Sequence, residues 1–277
     1  MPNLRIVSDN AADRATSLVA SSSAGTLAAS NLQLAIKSRV WRATATSATL
    51  TVTWAVAEPV SCVALPFCNL SPAATIRVRG YSDTGGVTLV LDTGVVPACP
   101  AAAVTLRGWG AMSSGANAYG YGGGAYARVW FGQVNVRRLV VDLADSGNAA
   151  GYIEASRLVV GAYWSPTYNA DSGAALTLQD QSKHYRTDAG DLMTDIGTRN
   201  RKLSLNLLCM PSADRATFAN ILRAIGMANP LFFSLFPQNV DAEMERDHQI
   251  YGKVSQMSAI TLTQLGAYSS QLEIEEI

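Results

Sequence analysis

Apolar and polar residues alternate with a period of two along much of this chain, and that pattern limits its fold more than any other feature. In the run 49–56 the apolar positions Leu50, Val52, Trp54 and Val56 share one side of an extended chain. In 75–81, Ile76 and Val78 do the same, with Arg77 and Arg79 opposite. A helix would scatter such residues around its circumference, whereas a strand gathers them on one face that can be half-buried. Further strand-like runs lie at 60–67, 87–91, 128–131, 137–143 and 152–160, with turn formers at 69–72, 83–86 and 145–148 between them. Short strands at this spacing predict an antiparallel β-sandwich over residues 1–167.

Past Trp164-Ser165-Pro166-Thr167-Tyr168-Asn169 the pattern changes. Phe218, Ile221, Leu222 and Ile225 recur at helical spacing, with Ser212 as expected N-cap, Asp214 in the first turn and Gly226 as the stop. Strands are expected around that helix at 176–179, 202–209, 231–236, 249–254, 258–265 and 268–275. Residues 168–277 therefore read as a β-rich α+β domain with one clear helix, and the whole chain as mainly β.

The segment 108–127 interrupts the rhythm. It is rich in glycine, carries no charge and holds Trp109, Tyr119, Tyr121 and Tyr126, so one regular element cannot occupy it and a long loop is expected. Its four aromatic residues are the candidate contacts for a partner protein or a glycan, against the alternative of an insertion without a role. The run 120–125, Gly-Tyr-Gly-Gly-Gly-Ala, superficially matches a dinucleotide fingerprint but has no strand–turn–helix context.

Charge excludes several functions. The 21 basic and 21 acidic residues cancel, leaving no surplus to neutralise nucleic-acid phosphates. Charged residues make up only 15% of the chain, which suits a protein covered by partners rather than a free-standing one. No run reads as a membrane span, and the start, Met1-Pro2-Asn3-Leu4-Arg5, lacks the basic and apolar regions of a secretory signal, so synthesis in a cytoplasm is expected.

Chemistry is largely missing too. There is no Gly-x-Ser-x-Gly, His-Glu-x-x-His, Walker or calcium-loop spacing. Cys62, Cys68, Cys99 and Cys209 contain no Cys-x-x-Cys, and two His cannot complete a zinc set. Cys62 and Cys68 are expected as buried small hydrophobes, and His184 as a surface residue. His248, after Asp241, Glu243, Glu245 and Asp247, is expected to close a solvated acidic loop, with an inter-subunit salt-bridge patch as the alternative. Asp83, Asp92, Asp142, Asp145 and Glu154 fall at strand ends and turns, where acids serve turn geometry. No catalytic residue, cofactor or metal is expected.

The residues so assembled resemble a known pattern. Ser38-Arg39-Val40-Trp41-Arg42, the strand ending at Val56, Pro59-Val60-Ser61-Cys62-Val63-Ala64-Leu65, the run 69–78 and the closing run 151–161 resemble the galactose-binding-like jelly-roll modules in tail-tip proteins of long-tailed, siphovirus-type bacteriophages. Ile250-Tyr251-Gly252-Lys253-Val254 and the end Leu272-Glu273-Ile274-Glu275-Glu276 look like the second half of the same proteins. The resemblance implies a structural, non-enzymatic component of the tail tip or baseplate, distal-tail-like, located in the virion. It also implies self-association as a trimer or hexamer ring and contact with hub, tube and tape-measure proteins. The alternative is a carbohydrate- or receptor-binding module used in host attachment. Trp41 is expected to close the sandwich and Arg42 to pair with a carboxylate near a sheet edge. The Gly-rich loop is longer and more aromatic than such modules carry, and Trp109, Tyr119 and Tyr121 suit either a sugar face or a neighbouring subunit.

Overall fold

The computed structural model describes residues 2–100, 124–264 and 266–277. Its strands are β1 (Arg5–Val7), β2 (Ser17–Ala20), β3 (Trp41–Arg42), β4 (Ser47–Cys68), β5 (Thr75–Tyr81), β6 (Leu89–Asp92), β7 (Val96–Pro97), β8 (Ala125–Ala144), β9 (Glu154–Ala155) and β10 (Val159–Gly161). There follow β11 (Ala175–Asp180), β12 (Lys183–Arg186), β13 (Leu192–Asp195), β14 (Arg199–Met210), helix α1 (Ser212–Ile225), β15 (Leu231–Ser234), helix α2 (Ala242–Asp247), β16 (Gln249–Val254), β17 (Ile260–Gln264) and β18 (Ala267–Glu276). The fold is mainly β, an antiparallel sandwich followed by a β-rich α+β unit, as the periodicity predicts.

The sandwich is nine strands in the order β3-β9-β4-β8-β5-β6, with β2 and β10 added on β4 and β7 on β5. β4 and β8 are longer than the sequence runs suggest, 22 and 20 residues, and pair antiparallel almost throughout. Their register breaks between Thr53 and Glu58, Val60 and Cys62, and Leu65 and Cys68. Breaks of this kind bend a long pair, so that it curls around one core. Leu50, Val52 and Trp54 are buried as the alternation requires, but Val56 is 73% exposed, because it falls inside the first break. Trp54 donates its indole N–H to the Ala11 carbonyl at 2.7 Å, and Trp41, fully buried where β3 meets β9, donates to Ser22 at 3.0 Å. Arg42 beside it pairs with Glu154, the expected edge carboxylate.

The second unit is a seven-stranded sheet, β1-β15-β16-β18-β14-β11 with β17 on β18. Its β1 comes from the start of the chain: the first strand leaves the sandwich it precedes and pairs with β15. Helix α1 lays Phe218, Ile221, Leu222 and Ile225 on Leu203, Leu205 and Ile274 of that sheet. The helix starts at the expected cap itself, one residue earlier than the sequence suggests. Ser212 is its first residue, Pro211 holds the N-cap position without a side-chain bond, and Asp214 accepts from the Thr167 N–H instead. Gly226, at φ +54°, ends it.

Two expectations fail here. The acidic stretch after Pro237 is not a solvated loop: Asp241 caps helix α2 through the N–H groups of Glu243 and Met244, and Glu245 is buried. The expected loop also ends early, since Ala125, Tyr126 and Ala127 belong to β8. Among the described residues no helix is long and apolar enough to cross a membrane.

Candidate functional site

A dense network of rings and charges lies where the two units meet. Phe67, Tyr126 and Trp130 of the sandwich form a buried cluster with Phe232 and Tyr251 of the second sheet. Trp130 stacks with Phe232 with centroids 5.7 Å apart, Tyr126 stacks with the same ring at 6.3 Å, and Phe67 meets Tyr126 edge-on at 5.3 Å. Such pairs contribute about 0.5–1.5 kcal/mol each beyond the area they bury.

Charge-assisted bonds surround the rings. Arg128 of β8 forms a two-pronged pair with Glu245 of α2 at 2.9 and 2.6 Å. Tyr126 donates its hydroxyl to Glu276 at 2.5 Å, and Arg201 grips the same carboxylate at 2.6 Å. Arg157 donates to the Tyr251 hydroxyl at 2.8 Å and pairs with Asp13. The Arg5 guanidinium, carried on β1, lies over Trp130 at 5.0 Å and Tyr163 at 4.4 Å. Each arginine thus meets a carboxylate, a hydroxyl or a ring, the arrangement that burial demands of a charge.

Burial raises the Tyr126 hydroxyl well above its ordinary value, and Glu276 beside it raises it further. Burial likewise pushes Tyr251 up to about 12, with Arg157 acting the other way. Both hydroxyls therefore stay protonated over the physiological range, Tyr126 donating to Glu276 and Tyr251 accepting from Arg157. The joint is a structural device, with its titratable groups committed to one another.

Among the described residues no group of three His, Cys, Asp or Glu side chains could hold a metal ion. His184 is exposed, with Nδ1 3.0 Å from Thr194 Oγ1. His248 donates from Nδ1 to the Met244 carbonyl at 2.9 Å and packs edge-on against Phe236. Cys62, Cys68 and Cys99 are buried and Cys209 is exposed; burial pushes the Cys62 thiol up, away from reactivity. A concavity of about 830 Å³ between Tyr168–Ser172 and Cys209–Pro211 includes one carboxylate, Asp171, in its lining. Asp83 and Asp145 serve turns as expected, accepting the N–H groups of Gly86 to Thr88 and of Ser71.

Of the four sequence candidates, Trp109, Tyr119 and Tyr121 lie outside the described residues. Tyr126 is only 3% exposed and occupied by Glu276 and Phe232, so its ring belongs to the joint rather than to a ligand. The two feet of segment 101–123 leave from one corner of the sandwich. Ala125 pairs with Cys68 and accepts its thiol at 3.3 Å, while Ala98 accepts the Arg128 N–H at 2.9 Å. Gly124 lets the chain pass there, since a Cβ would lie 2.9 Å from the Phe67 Cα. Sequence reasoning missed Arg128, Arg201, Glu245 and Glu276, whose partners lie far off in the chain.

No family model matches the chain, and no curated protein matches it. Solved structures similar to it include chitosan-binding module 1 from a chitosanase/glucanase of Paenibacillus sp. IK-5, at 14% identity over 56% of this chain and 99% of that one, TM-score 0.37. Another is CBM32-3 from a family 31 glycoside hydrolase of Clostridium perfringens, at 12% identity over 53% and 90%, TM-score 0.37. A third is a GH29 fucosidase of Ruminococcus gnavus, at 13% over 57% and 27%, TM-score 0.39. Agreement at this level decides no ligand for this chain.

Proposed function

We propose that the chain is a non-catalytic binding component of a bacteriophage tail tip, in which the sandwich presents segment 101–123 to a host-surface glycan or receptor and the second unit anchors it in the assembly. The observation that carries this reading is the joint. Its arginines, carboxylates and tyrosine hydroxyls bond one another, so they fix one unit on the other. A rigid mount suits a part that transmits position; an enzyme would instead need groups with perturbed and available protons. The common corner from which the segment's feet depart supports the recognition half, because both ends of the segment are held on the sandwich. Carbohydrate-binding modules among the similar solved structures fit that half without deciding it.

The two halves are tested separately. Binding of the purified chain to a panel of host-envelope polysaccharides, compared with a Trp109→Ala/Tyr121→Ala variant, reads recognition; binding unaffected by the pair of substitutions would remove the segment from the proposal. Antibody labelling of intact particles reads location, and label away from the tail end would refute the assembly half. A purely architectural tail-tip role, joining tube to hub, is the second reading. It is favoured by the two-stranded sheet β12–β13, which pairs with no further strand among the described residues and whose residues are all exposed, and it predicts tails that fail to assemble when the chain is absent.

A further inference from the structure

Arg5, Ser234 and Gln249 stand in one row across the second sheet: Arg5 of β1 is paired with Ser234 of β15, and Ser234 with Gln249 of β16. Directly opposed residues share a face, with Cβ atoms about 5 Å apart. That face is the one turned to the sandwich, because Val7, Phe232 and Tyr251, two positions along the same strands, pack into the ring cluster of the joint. Trp130 of β8 closes over the row from the sandwich side, with the Arg5 guanidinium 5.0 Å from its ring and 4.4 Å from that of Tyr163.

The row is polar and unpartnered. Arg5 Nη1, Trp130 Nε1, Ser234 Oγ and both Gln249 Oε1 and Nε2 are buried without a hydrogen bond, five of the eleven such side-chain atoms among the described residues. Ser234 and Gln249 are 0% exposed and Trp130 7%. Buried polar atoms are nearly always satisfied, so a cluster that the chain itself leaves unmet marks a bound water or ion. Four of the five atoms can donate, and the guanidinium and indole nitrogens can do nothing else. Water, which donates as readily as it accepts, finds one obligate acceptor here, Gln249 Oε1. Charge points the same way. Burial lowers the Arg5 guanidinium below its ordinary value, and Tyr163, Cys62 and Glu245 offset this only in part. Glu245 is itself taken by both prongs of Arg128, so these three groups leave one positive charge over. An acceptor carrying one negative charge meets both demands. It must also be small and free, because no chain end or polymer reaches side chains that are fully buried.

We propose that the joint binds a chloride-sized monovalent anion between Arg5, Trp130, Ser234 and Gln249, and that this ion helps to hold the two units together. A lone spherical ion accepts from guanidinium, indole, hydroxyl and amide without needing a matched fork. The inference goes beyond the tail-tip reading and stands or falls apart from it.

The experiment is calorimetry of the full chain as sodium chloride replaces sodium gluconate at constant ionic strength, gluconate being too large to enter. A ligand that binds only the folded chain stabilises it with the logarithm of its concentration above half-saturation, so the transition is expected to rise by about 3–6 °C per tenfold increase in chloride. Sodium bromide is expected to act likewise, and crystals grown in bromide to show an anomalous peak in contact with Arg5 Nη1 and Trp130 Nε1. Arg5→Met keeps an aliphatic stem beside the rings but removes the charge, and is expected to abolish the chloride response. Gln249→Leu removes a donor and no charge, and is expected to weaken chloride binding about tenfold or more. Far-UV circular dichroism shows whether each variant folds; if Arg5→Met does not, Gln249→Leu and the bromide map decide. A transition indifferent to chloride, a response that the folded variants keep in full, or bromide crystals in which the row holds water alone would overturn the proposal.

Discussion

Arg128→Ala is the most informative single change to the joint. It removes a guanidinium that donates to both oxygens of Glu245, at 2.9 and 2.6 Å, while the Glu245 side chain is 1% exposed. After the change the carboxylate keeps one bond, from the Gln238 N–H at 3.0 Å, and no direct ion pair, with the Arg5 charge acting on it only from farther off. Breaking a buried pair by removing one partner costs about 3–5 kcal/mol, mostly from the uncompensated charge left behind. For a chain of this size each kcal/mol lowers the transition by about 2–4 °C, so the variant should melt about 6–20 °C lower. The assay is calorimetry with urea titrations followed by tryptophan fluorescence. A double variant, Arg128→Met/Glu245→Leu, removes both charges and should recover most of the loss, since apolar replacements of buried pairs are often neutral. A loss below about 1 kcal/mol in the single variant would show that solvent already screens the pair. A double variant no better than the single one would show that shape, not charge, holds the joint.

Other expectations follow from single features. Phe218→Ala should cost about 3–5 kcal/mol in urea titrations, because a fully buried ring between α1 and the sheet leaves a cavity. A thiol reagent should modify Cys209 at once and Cys62, Cys68 and Cys99 only on unfolding, so four fast-reacting thiols in native protein would contradict their burial. Alkali should destabilise the chain from about pH 10, the ordinary tyrosine value, up to about pH 12, where folded Tyr251 titrates. In that window the unfolded chain has lost the proton and the folded one keeps it, so stability falls as pH rises. Tyr251→Phe should flatten the fall, and an unchanged alkaline profile would contradict the assignment.

How far the sequence could be read depended on the range of the contacts. Strand β16 was legible at its observed limits and helix α1 to within one residue at its start, because Phe218 to Ile225 and Gln249 to Val254 carry their own periodicity. β4 was not legible as one strand. Pro59 normally ends a strand, and here it sits beside a register break where the ladder already lacks regular pairing. Val56 looked buried by alternation and is exposed for the same reason. Helix α2 spans six residues, too short to show a period, and its purpose is visible only with Arg128, 117 positions away. Tyr126 looked like part of a glycine-rich loop, while its partner Glu276 lies 150 positions on.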